Sequence, residues 1–244
     1  DMDGDLIGIN TAIFSRTGSS TGVGFAVPAA MVRQVVDSAV GGASAVVRPW
    51  LGVKGDPVTA EVARSLGLDR PQGLVVTTVY PEGPGARAGL RAGDIITAVD
   101  GTEINDQGGL NFRVGTHAPD ATVQVSVLRD GRARTLNARV QKLPGNADVS
   151  AATLIESGAL AGAQVLVLNP ALADSLGGDP FATGVIVGRV QRGSYAQRVG
   201  LRGGDVIVSV NGRAVTSMRQ LDGIGRGAEL TISRGGRSLS GRIN

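Results

Sequence analysis

The sequence contains no cysteine, a single histidine and few aromatic residues. Among its 244 residues there are four Phe, two Tyr and one Trp. The absence of cysteine excludes disulfide bonds, thiolate metal sites and a cysteine nucleophile in this chain. One histidine leaves one imidazole for any acid–base role. The scarcity of aromatic side chains predicts a core built from aliphatic residues.

Charge is sparse and nearly balanced. Lys and Arg number 24 and Asp and Glu 21, which gives a formal net charge of +3. Because there is no basic amphipathic helix and no run of five like charges, we expect neither nucleic acid nor an anionic membrane as a partner. The densest basic stretch is interpreted as the solvated face of a hairpin; it comprises Arg129, Arg132, Arg134 and Arg139.

Long apolar runs are missing as well. Nothing approaches the ~18–20 residues of a membrane span, and no signal peptide is visible. Because the chain begins with Asp1 and opens directly into strand-like sequence, we expect it to be a fragment.

What the sequence does have is glycine and an internal repeat. Glycine accounts for 38 residues, and apolar residues reach 42%, which is typical of a globular chain. Gly73–Ile104 aligns without a gap with Gly184–Val215, at an offset of 111 residues. This period is too long for a solenoid and indicates a duplicated domain of about a hundred residues.

Each copy predicts the same local structure. Strands over Leu74–Val79 and Val185–Val190 precede a brief helix and a second strand. That strand ends in Asp100-Gly101 or Asn211-Gly212, pairs that tolerate positive φ in tight turns. A terminal hairpin closes each copy.

The copies differ between the second strand and this hairpin. Arg129 and Arg234 mark equivalent points of the two hairpins but lie only 105 residues apart, so the second copy has lost six residues. This interval predicts a helix over Gln107–Val114 in the first copy and a stub near Met218–Ile224 in the second.

Small and polar residues suggest two linkers, at 41–47 and 144–158. They divide the chain into residues 1–40, a domain over 48–143 and a domain over 159–244. Residues 1–40 predict a strand over Leu6–Ile13, a strand over Gly24–Val27 and a helix over Pro28–Ala39. That helix places Met31, Val35 and Val36 on one face.

The repeated domains resemble PDZ domains of the type found in HtrA/DegP-like serine proteases. The resemblance rests on Trp50-Leu51-Gly52-Val53 and on the pattern Gly-Leu-x-x-Gly-Asp-x-Ile-x-x-Val-Asp/Asn-Gly, which occurs twice. It implies a mainly β fold with short helices (α+β): two PDZ-like, partly open β-barrels or sandwiches.

The first forty residues resemble the last strands and C-terminal helix of the trypsin-like protease domain in the same family. The matching segments are Gly4–Ile13 and Gly22–Pro28. By this resemblance Asn10, Thr11 and Ala12 would pair with a substrate backbone, and Gly22, Val23 and Gly24 would form a wall of the specificity pocket. A dinucleotide loop is a poor alternative for Gly22–Gly24, because the third glycine is missing.

The family's catalytic serine lies in a Gly-Asn-Ser-Gly-Gly motif, which this sequence does not contain. A triad needs serine, an imidazole base and an orienting acid. The one histidine, His117, is interpreted as a solvent-facing loop residue. We therefore expect no catalytic residue, no metal, no cofactor and no peptide hydrolysis by the chain as given.

A PDZ domain adds an extended peptide to a sheet edge and holds its C-terminal carboxylate on backbone N–H groups. The expected site of the first domain is the carboxylate loop with its flanks and the groove helix: Arg48, Trp50, Leu51, Gly52, Val53, Leu110 and Val114. A small apolar pocket there would favour a terminal Val, Ile, Leu or Ala. Two alternatives stay open, that Arg48 is a solvated linker residue and that Leu110 packs the core.

In the second domain the corresponding residues are Ala161, Gly162, Ala163 and Leu221. We expect weak or absent peptide binding there, because the six-residue deletion removes more than a turn of the groove helix.

The resemblance implies the C-terminal part of a periplasmic serine endopeptidase of envelope protein quality control. Its PDZ domains would bind unfolded or misfolded proteins through hydrophobic C-terminal peptides. The alternative is a non-enzymatic adaptor with two PDZ domains. Intramembrane metalloproteases also carry paired PDZ domains, but no His-Glu-x-x-His motif occurs here. The whole protein is expected to form a homotrimer or larger assembly, and this chain to be monomeric.

Overall fold

The computed structural model describes residues 2–14, 23–40, 48–65 and 67–243. The chain divides into two compact units, Asp1–Lys142 and Leu143–Asn244. Strands dominate both, and helices are short, which confirms the predicted mainly β class. Of the helices in these ranges, none has the length and apolar character needed to cross a membrane.

Residues 2–14 and 23–40 form two paired strands and a helix. β1 (Gly8–Phe14) pairs antiparallel with β2 (Val23–Pro28), and α1 (Ala29–Val40) follows directly. Pro28 is the last residue of β2, so the helix begins one residue later than predicted. The predicted helix face is largely exposed, with Val35 at 47% and Val36 at 50%.

The remainder of the first unit is built on an open antiparallel sheet. Its elements are β3 (Pro49–Trp50), β4 (Val53–Pro57), α2 (Ala60–Ser65), β5 (Leu74–Val79), α3 (Pro84–Arg87), β6 (Ile95–Val99), β7 (Thr102–Glu103), α4 (Gln107–Gly115), β8 (Thr122–Arg129), β9 (Arg132–Arg139) and β10 (Gln141–Lys142). The strand order is β4-β5-β6-β8-β9, with β7 paired to β6, while β3 and β10 form a separate pair. β4 is therefore an edge strand.

The second unit repeats this plan. After a 3₁₀ turn at Val149–Ala151 it contains β11 (Thr153–Leu154), β12 (Ala163–Val167), α5 (Pro170–Ser175), β13 (Val185–Val190), α6 (Tyr195–Arg198), β14 (Val206–Val210), β15 (Arg213–Ala214), a 3₁₀ helix at Met218–Leu221, β16 (Glu229–Arg234) and β17 (Arg237–Arg242). The order is β11-β12-β13-β14-β16-β17, with β15 paired to β14. Here β12, the counterpart of β4, has β11 on its outer side.

Local sequence explains these elements. β8 buries Val123, Val125 and Val127 on alternate positions, as a strand with one face on a core requires. The tight turn after β6 has φ +48° at Asp100 and +74° at Gly101, which confirms the predicted positive-φ pair. The groove helix and its shortened counterpart also begin where predicted, at Gln107–Gly115 and Met218–Leu221, although the second ends before the predicted Ile224.

The interpretation of Arg129 as part of a solvated face is wrong. Its side chain is 15% exposed, and its Nε lies 2.6 Å from Oδ1 of Asp94, which is 1% exposed. Its Nη2 donates to the other oxygen of Asp94 at 2.7 Å and to the Gly89 carbonyl at 2.6 Å. A bidentate guanidinium can compensate a buried carboxylate, which explains why this arginine turns inward. Arg132, Arg134 and Arg139 are exposed as expected.

The same ion pair recurs in the second unit. Arg234 Nε lies 2.6 Å from Oδ1 of Asp205, which is 1% exposed, and Arg234 Nη2 donates to Asp205 Oδ2 at 2.7 Å. Each aspartate also accepts a backbone N–H three residues upstream, from Arg91 and from Arg202, at 2.8 Å. The Gly-Asp of the repeated motif is therefore a buried anchor that ties the turn before a central strand to the terminal hairpin.

Candidate peptide-binding grooves

The predicted carboxylate loop of the first domain has a defined backbone geometry. Gly52 has φ +73°, a conformation that glycine adopts without strain. The Leu51 carbonyl accepts from Gly85 N at 2.7 Å, and the Gly52 carbonyl accepts from Tyr80 N at 2.9 Å. Because N–H and C=O point in opposite directions across a trans peptide, the N–H groups of Gly52 and Val53 are directed away from these partners. Two adjacent donors on the outside of a glycine turn suit an anion.

Aromatic side chains support this loop. Trp50 and Tyr80 meet edge to face, with ring centroids 5.2 Å apart. A Cβ added at Gly52 would lie 3.5–3.6 Å from atoms of Trp50, Tyr80 and Pro84, so the loop rests directly on these side chains. Trp50 thus supports the loop, while Arg48 is exposed one residue before β3.

The free edge of β4 faces α4. Lys54 pairs with Thr78 of β5, which leaves the N–H and C=O groups of Val53 and Gly55 for the outer edge. Gln107, the first residue of α4, engages both: its Oε1 accepts from Gly55 N at 2.9 Å, and its Nε2 donates to Val53 O at 3.2 Å. A primary amide thus makes the donor–acceptor pair that the backbone of an added strand would make. Residue spacing gave no sign of this contact.

The apolar residues expected to line the terminal pocket are packed against one another. Val53 is 2% exposed, Leu110 1%, Val114 2% and Leu51 3%, and all four belong to one buried cluster. A ligand side chain therefore reaches them only if α4 moves outward from β4. Gln107 is the hydrogen-bonded link between these two elements.

The second domain reproduces the glycine turn of the carboxylate loop. Gly162 has φ +89°, and a Cβ there would lie 2.3 Å from the Ser194 side chain, so only glycine fits. The Ala161 carbonyl accepts from Ala196 N at 3.0 Å and the Gly162 carbonyl from Gln191 N at 2.8 Å, matching the two bonds of the first loop. Ala163 begins β12 as Val53 begins β4. Leu221, at the end of the shortened helix, is 1% exposed.

The edge of β12 is covered by the chain itself. Thr153 pairs with Val165 and Leu154 with Gln164, and Ile155 N donates to the Ala163 carbonyl at 2.9 Å. The structure thus places part of the segment predicted as a linker in the sheet of the second unit. The β-branched residues Thr153 and Ile155 were the available sequence signal for a strand.

The residues expected to pair with substrate or to line the specificity pocket of a protease domain lie mostly on β1 and β2. Asn10, Thr11 and Ala12 belong to β1, where the register shifts between Asn10 and Ala12, and Thr11 Oγ1 donates to Phe25 O at 3.2 Å. Val23 and Gly24 begin β2, whereas Gly22 lies outside the described residues.

His117 Nε2 lies 3.0 Å from Asp100 Oδ2, with side-chain exposures of 25% and 27%, so the histidine is paired and only partly solvent-facing.

Comparison with known proteins identifies PDZ domains in both units. PDZ domain models match residues 49–140 and 186–232. The chain is 38% identical over 215 residues, 88% of its length, to a probable periplasmic serine endoprotease DegP-like of Brucella suis, and 35% identical over 221 residues, 91% of its length, to the DegP-like protein of Halomonas elongata. These alignments cover 41% and 46% of the relatives, so the chain spans less than half of either.

Solved structures of HtrA-type proteases are also similar. The HtrA-type protease AlgW with a decapeptide is 42% identical over 60% of this chain and 45% of that chain, with a TM-score of 0.41. With two PDZ domains and DegP-like relatives along most of its length, the chain belongs to the HtrA/DegP-like family.

Proposed function

We propose that this chain is the PDZ-bearing part of a periplasmic HtrA-like serine endopeptidase, and that its first PDZ domain captures hydrophobic C-termini of unfolded or misfolded proteins. The location and the proteolytic activity are inferred from the names of the relatives. Residues 1–40 would be the end of the protease domain, 48–143 the first PDZ domain and 159–244 the second. The family resemblance and the hairpin–helix arrangement of residues 2–40 support this division.

One observation carries the proposal for the first domain: an edge strand begins at a glycine turn with outward N–H groups and lies beside a helix. An extended peptide that adds to β4 would gain backbone hydrogen bonds from Val53 and Gly55, and its carboxylate would meet the N–H groups of Gly52 and Val53. Because backbone hydrogen bonds do not depend on the peptide sequence, the terminal side chain of the peptide determines which peptides bind. The lining by Val53, Leu110 and Val114 favours a small aliphatic one.

Binding at this groove would require a rearrangement. The peptide must displace the Gln107 amide from β4, and α4 must give way before a side chain reaches the apolar cluster. Gly108 and Gly109 in the first turn of α4 each cost roughly 1 kcal/mol of helix stability relative to alanine, which makes this turn easy to shift. The groove is therefore proposed to be closed at rest and opened by its ligand.

A stand-alone adaptor explains less of the chain. Residues 1–40 lie outside both PDZ matches, yet their described part, residues 2–14 and 23–40, forms paired strands and a helix with exposed Leu6, Ile7, Phe25 and Val40. These side chains require a further apolar surface to cover them, which the rest of a protease domain would supply.

Fluorescence anisotropy with a labelled heptapeptide that ends in Val tests the proposal. We expect saturable binding of the free-acid peptide and at least about tenfold weaker binding of the same peptide with an amidated C-terminus, because an amide carries no charge to the loop. A peptide ending in Asp serves as the specificity control and should not compete. Equal affinity for the acid and the amide would rule out carboxylate recognition at this loop.

A further inference from the structure

The stretch Thr153–Ile155 lies on the second groove as a peptide ligand would. It runs antiparallel to β12, with Thr153 opposite Val165 and Leu154 opposite Gln164. Ile155 N donates to the Ala163 carbonyl at 2.9 Å, and Gly162 N donates to the Ile155 carbonyl at 2.9 Å. An internal carbonyl therefore occupies the loop N–H that would otherwise be available to a terminal carboxylate.

The side chain of Ile155 also occupies the pocket position. It is 7% exposed and belongs to the buried cluster that contains Ala163, Leu221 and Ile224. Its neighbour Leu154 points outward, at 36% exposed, as alternation along a strand requires. The shortened groove helix and the loop thus enclose an aliphatic side chain that belongs to the same domain.

A tight turn directly after Thr153–Ile155 holds these three residues in place. Ala159 N donates to the Ile224 carbonyl at 2.8 Å, and Gly158 has φ +81° with the Ile224 carbonyl 2.8 Å from where a Cβ would be. Only three residues separate Ile155 from Ala159. A ligand on so short a tether has an effective concentration of about millimolar or above, so it competes strongly with free peptides.

The two domains differ at one residue that bears on this arrangement. Gln107 in the first domain follows the N-cap Asp106, and Met218 in the second follows the N-cap Ser217. The thioether of Met218 has no N–H to donate and is a weak acceptor, so it cannot cap a strand edge as Gln107 does. In the second domain, backbone groups of Thr153–Ile155 make the edge bonds instead.

We propose that Thr153–Ile155 is an intramolecular ligand that closes the second PDZ groove to peptide C-termini until the segment is displaced. This proposal rests on the proposed function of the carboxylate loops. The pocket and the Gly162 N–H are both filled by Ile155, while the second loop N–H, that of Ala163, donates to the Leu160 carbonyl at 3.1 Å. The occupant excludes outside peptides. The six-residue deletion predicted weak binding for a different reason, the loss of helix length.

Amide NMR of the full ¹⁵N-labelled chain tests the two grooves separately, because Gly52 and Gly162 report one loop each. The probe is a heptapeptide with a free carboxylate that ends in Thr-Leu-Ile. In the unmodified chain we expect the Gly52 amide to shift and the Gly162 amide to stay unchanged. Thr153→Pro removes the N–H that faces Val165, and Gly162 should then shift, with affinity for this groove at least about tenfold higher.

Matched variants separate release of the strand from loss of folding. Thr153→Val keeps the N–H and should behave as the unmodified chain. Ile155→Ala keeps the backbone and empties the pocket, so it should open the groove even if Thr153→Pro unfolds the domain. Oxidised Leu154→Cys/Gln164→Cys, in a chain with no other cysteine, should keep the groove closed.

The outcomes are distinct for the two proposals. A Gly162 shift in the unmodified chain at the same peptide concentration as the Gly52 shift would overturn self-occupation. So would an unchanged Gly162 amide in a folded Ile155→Ala variant that still binds at Gly52. If the Gly52 amide does not shift on addition of the peptide, the result would instead count against the proposed function of the first groove.

Discussion

Gln107 and Met218 occupy equivalent positions in the two domains, 111 residues apart and each directly after the N-cap of the groove helix. Only Gln107 bridges the edge of its neighbouring strand, from Gly55 N to Val53 O. In both domains the edge that a peptide would join is satisfied from within, by a side-chain amide in the first and by the chain's own backbone in the second. The first is the easier contact to displace, because one rotamer change releases it.

Replacing Gln107 should therefore raise peptide affinity. Gln107→Ala frees the Val53 carbonyl and the Gly55 N–H, and we expect peptides of four or more residues to bind up to about tenfold tighter, which corresponds to about 1.4 kcal/mol. A dipeptide that reaches only the carboxylate loop should gain less. Anisotropy titrations of both peptides measure the effect.

Asn111→Ala is the matched control, since Asn111 Oδ1 accepts from Gln107 Nε2 at 2.9 Å, whereas the bonds to β4 are made by Gln107 itself. Weaker binding of long peptides by Gln107→Ala would show that Gln107 contacts the ligand and does not block it.

The buried ion pairs should each stabilise one domain. Asp94→Asn removes the charge that compensates Arg129, and loss of one partner of a buried pair typically costs roughly 3–5 kcal/mol. Trp50 is the only tryptophan in the sequence, so its fluorescence reports unfolding of the first domain alone. In urea we expect Asp94→Asn to move the Trp50 transition to a lower midpoint.

Asp205→Asn is the internal control, because it breaks the equivalent pair of the second domain and should leave the Trp50 transition in place. Equal midpoints for the unmodified chain and Asp94→Asn would contradict a stabilising role for the first pair.

Asp94 should also make the first domain sensitive to acid. Burial raises the pKa of this carboxyl, but hydrogen bonds from the Arg129 guanidinium and the Arg91 N–H outweigh it and hold the pKa below its ordinary value. A folded-state pKa below the unfolded one means that the stabilisation is present above about pH 4 and is lost as pH falls through the folded pKa. Trp50 fluorescence during acid titration should follow this loss. In Asp94→Asn, the stability of the first domain should depend less on pH below pH 4. An unchanged profile would assign the acid sensitivity to other carboxyls.

The chain alone is expected to be monomeric. By the family resemblance, assembly of the whole protein would depend on the protease portion. Light scattering at several concentrations measures the mass directly. A stable trimer would show that the PDZ domains or residues 2–40 suffice for assembly.

Much of the fold could be read from the repeat. Asp100-Gly101 and the apolar strands of each copy follow from local chemistry that one sequence displays. Arg129 could not be placed, because its inward turn depends on Asp94, 35 residues away. Gln107 was hidden for the same reason, since its partners lie more than 50 residues upstream. Ile155 was missed because a short strand in a small, polar stretch gives too little periodicity.

Hydrogen exchange at the first loop tests the central claim most directly. The claim is that a peptide C-terminus joins β4 and places its carboxylate on the Leu51-Gly52-Val53 turn. With saturating free-acid peptide ending in Val, exchange of the Gly52, Val53 and Gly55 amides should slow by at least about tenfold, while the amidated peptide leaves them nearly unchanged. Protection elsewhere in the chain with no change at these three amides would contradict the account.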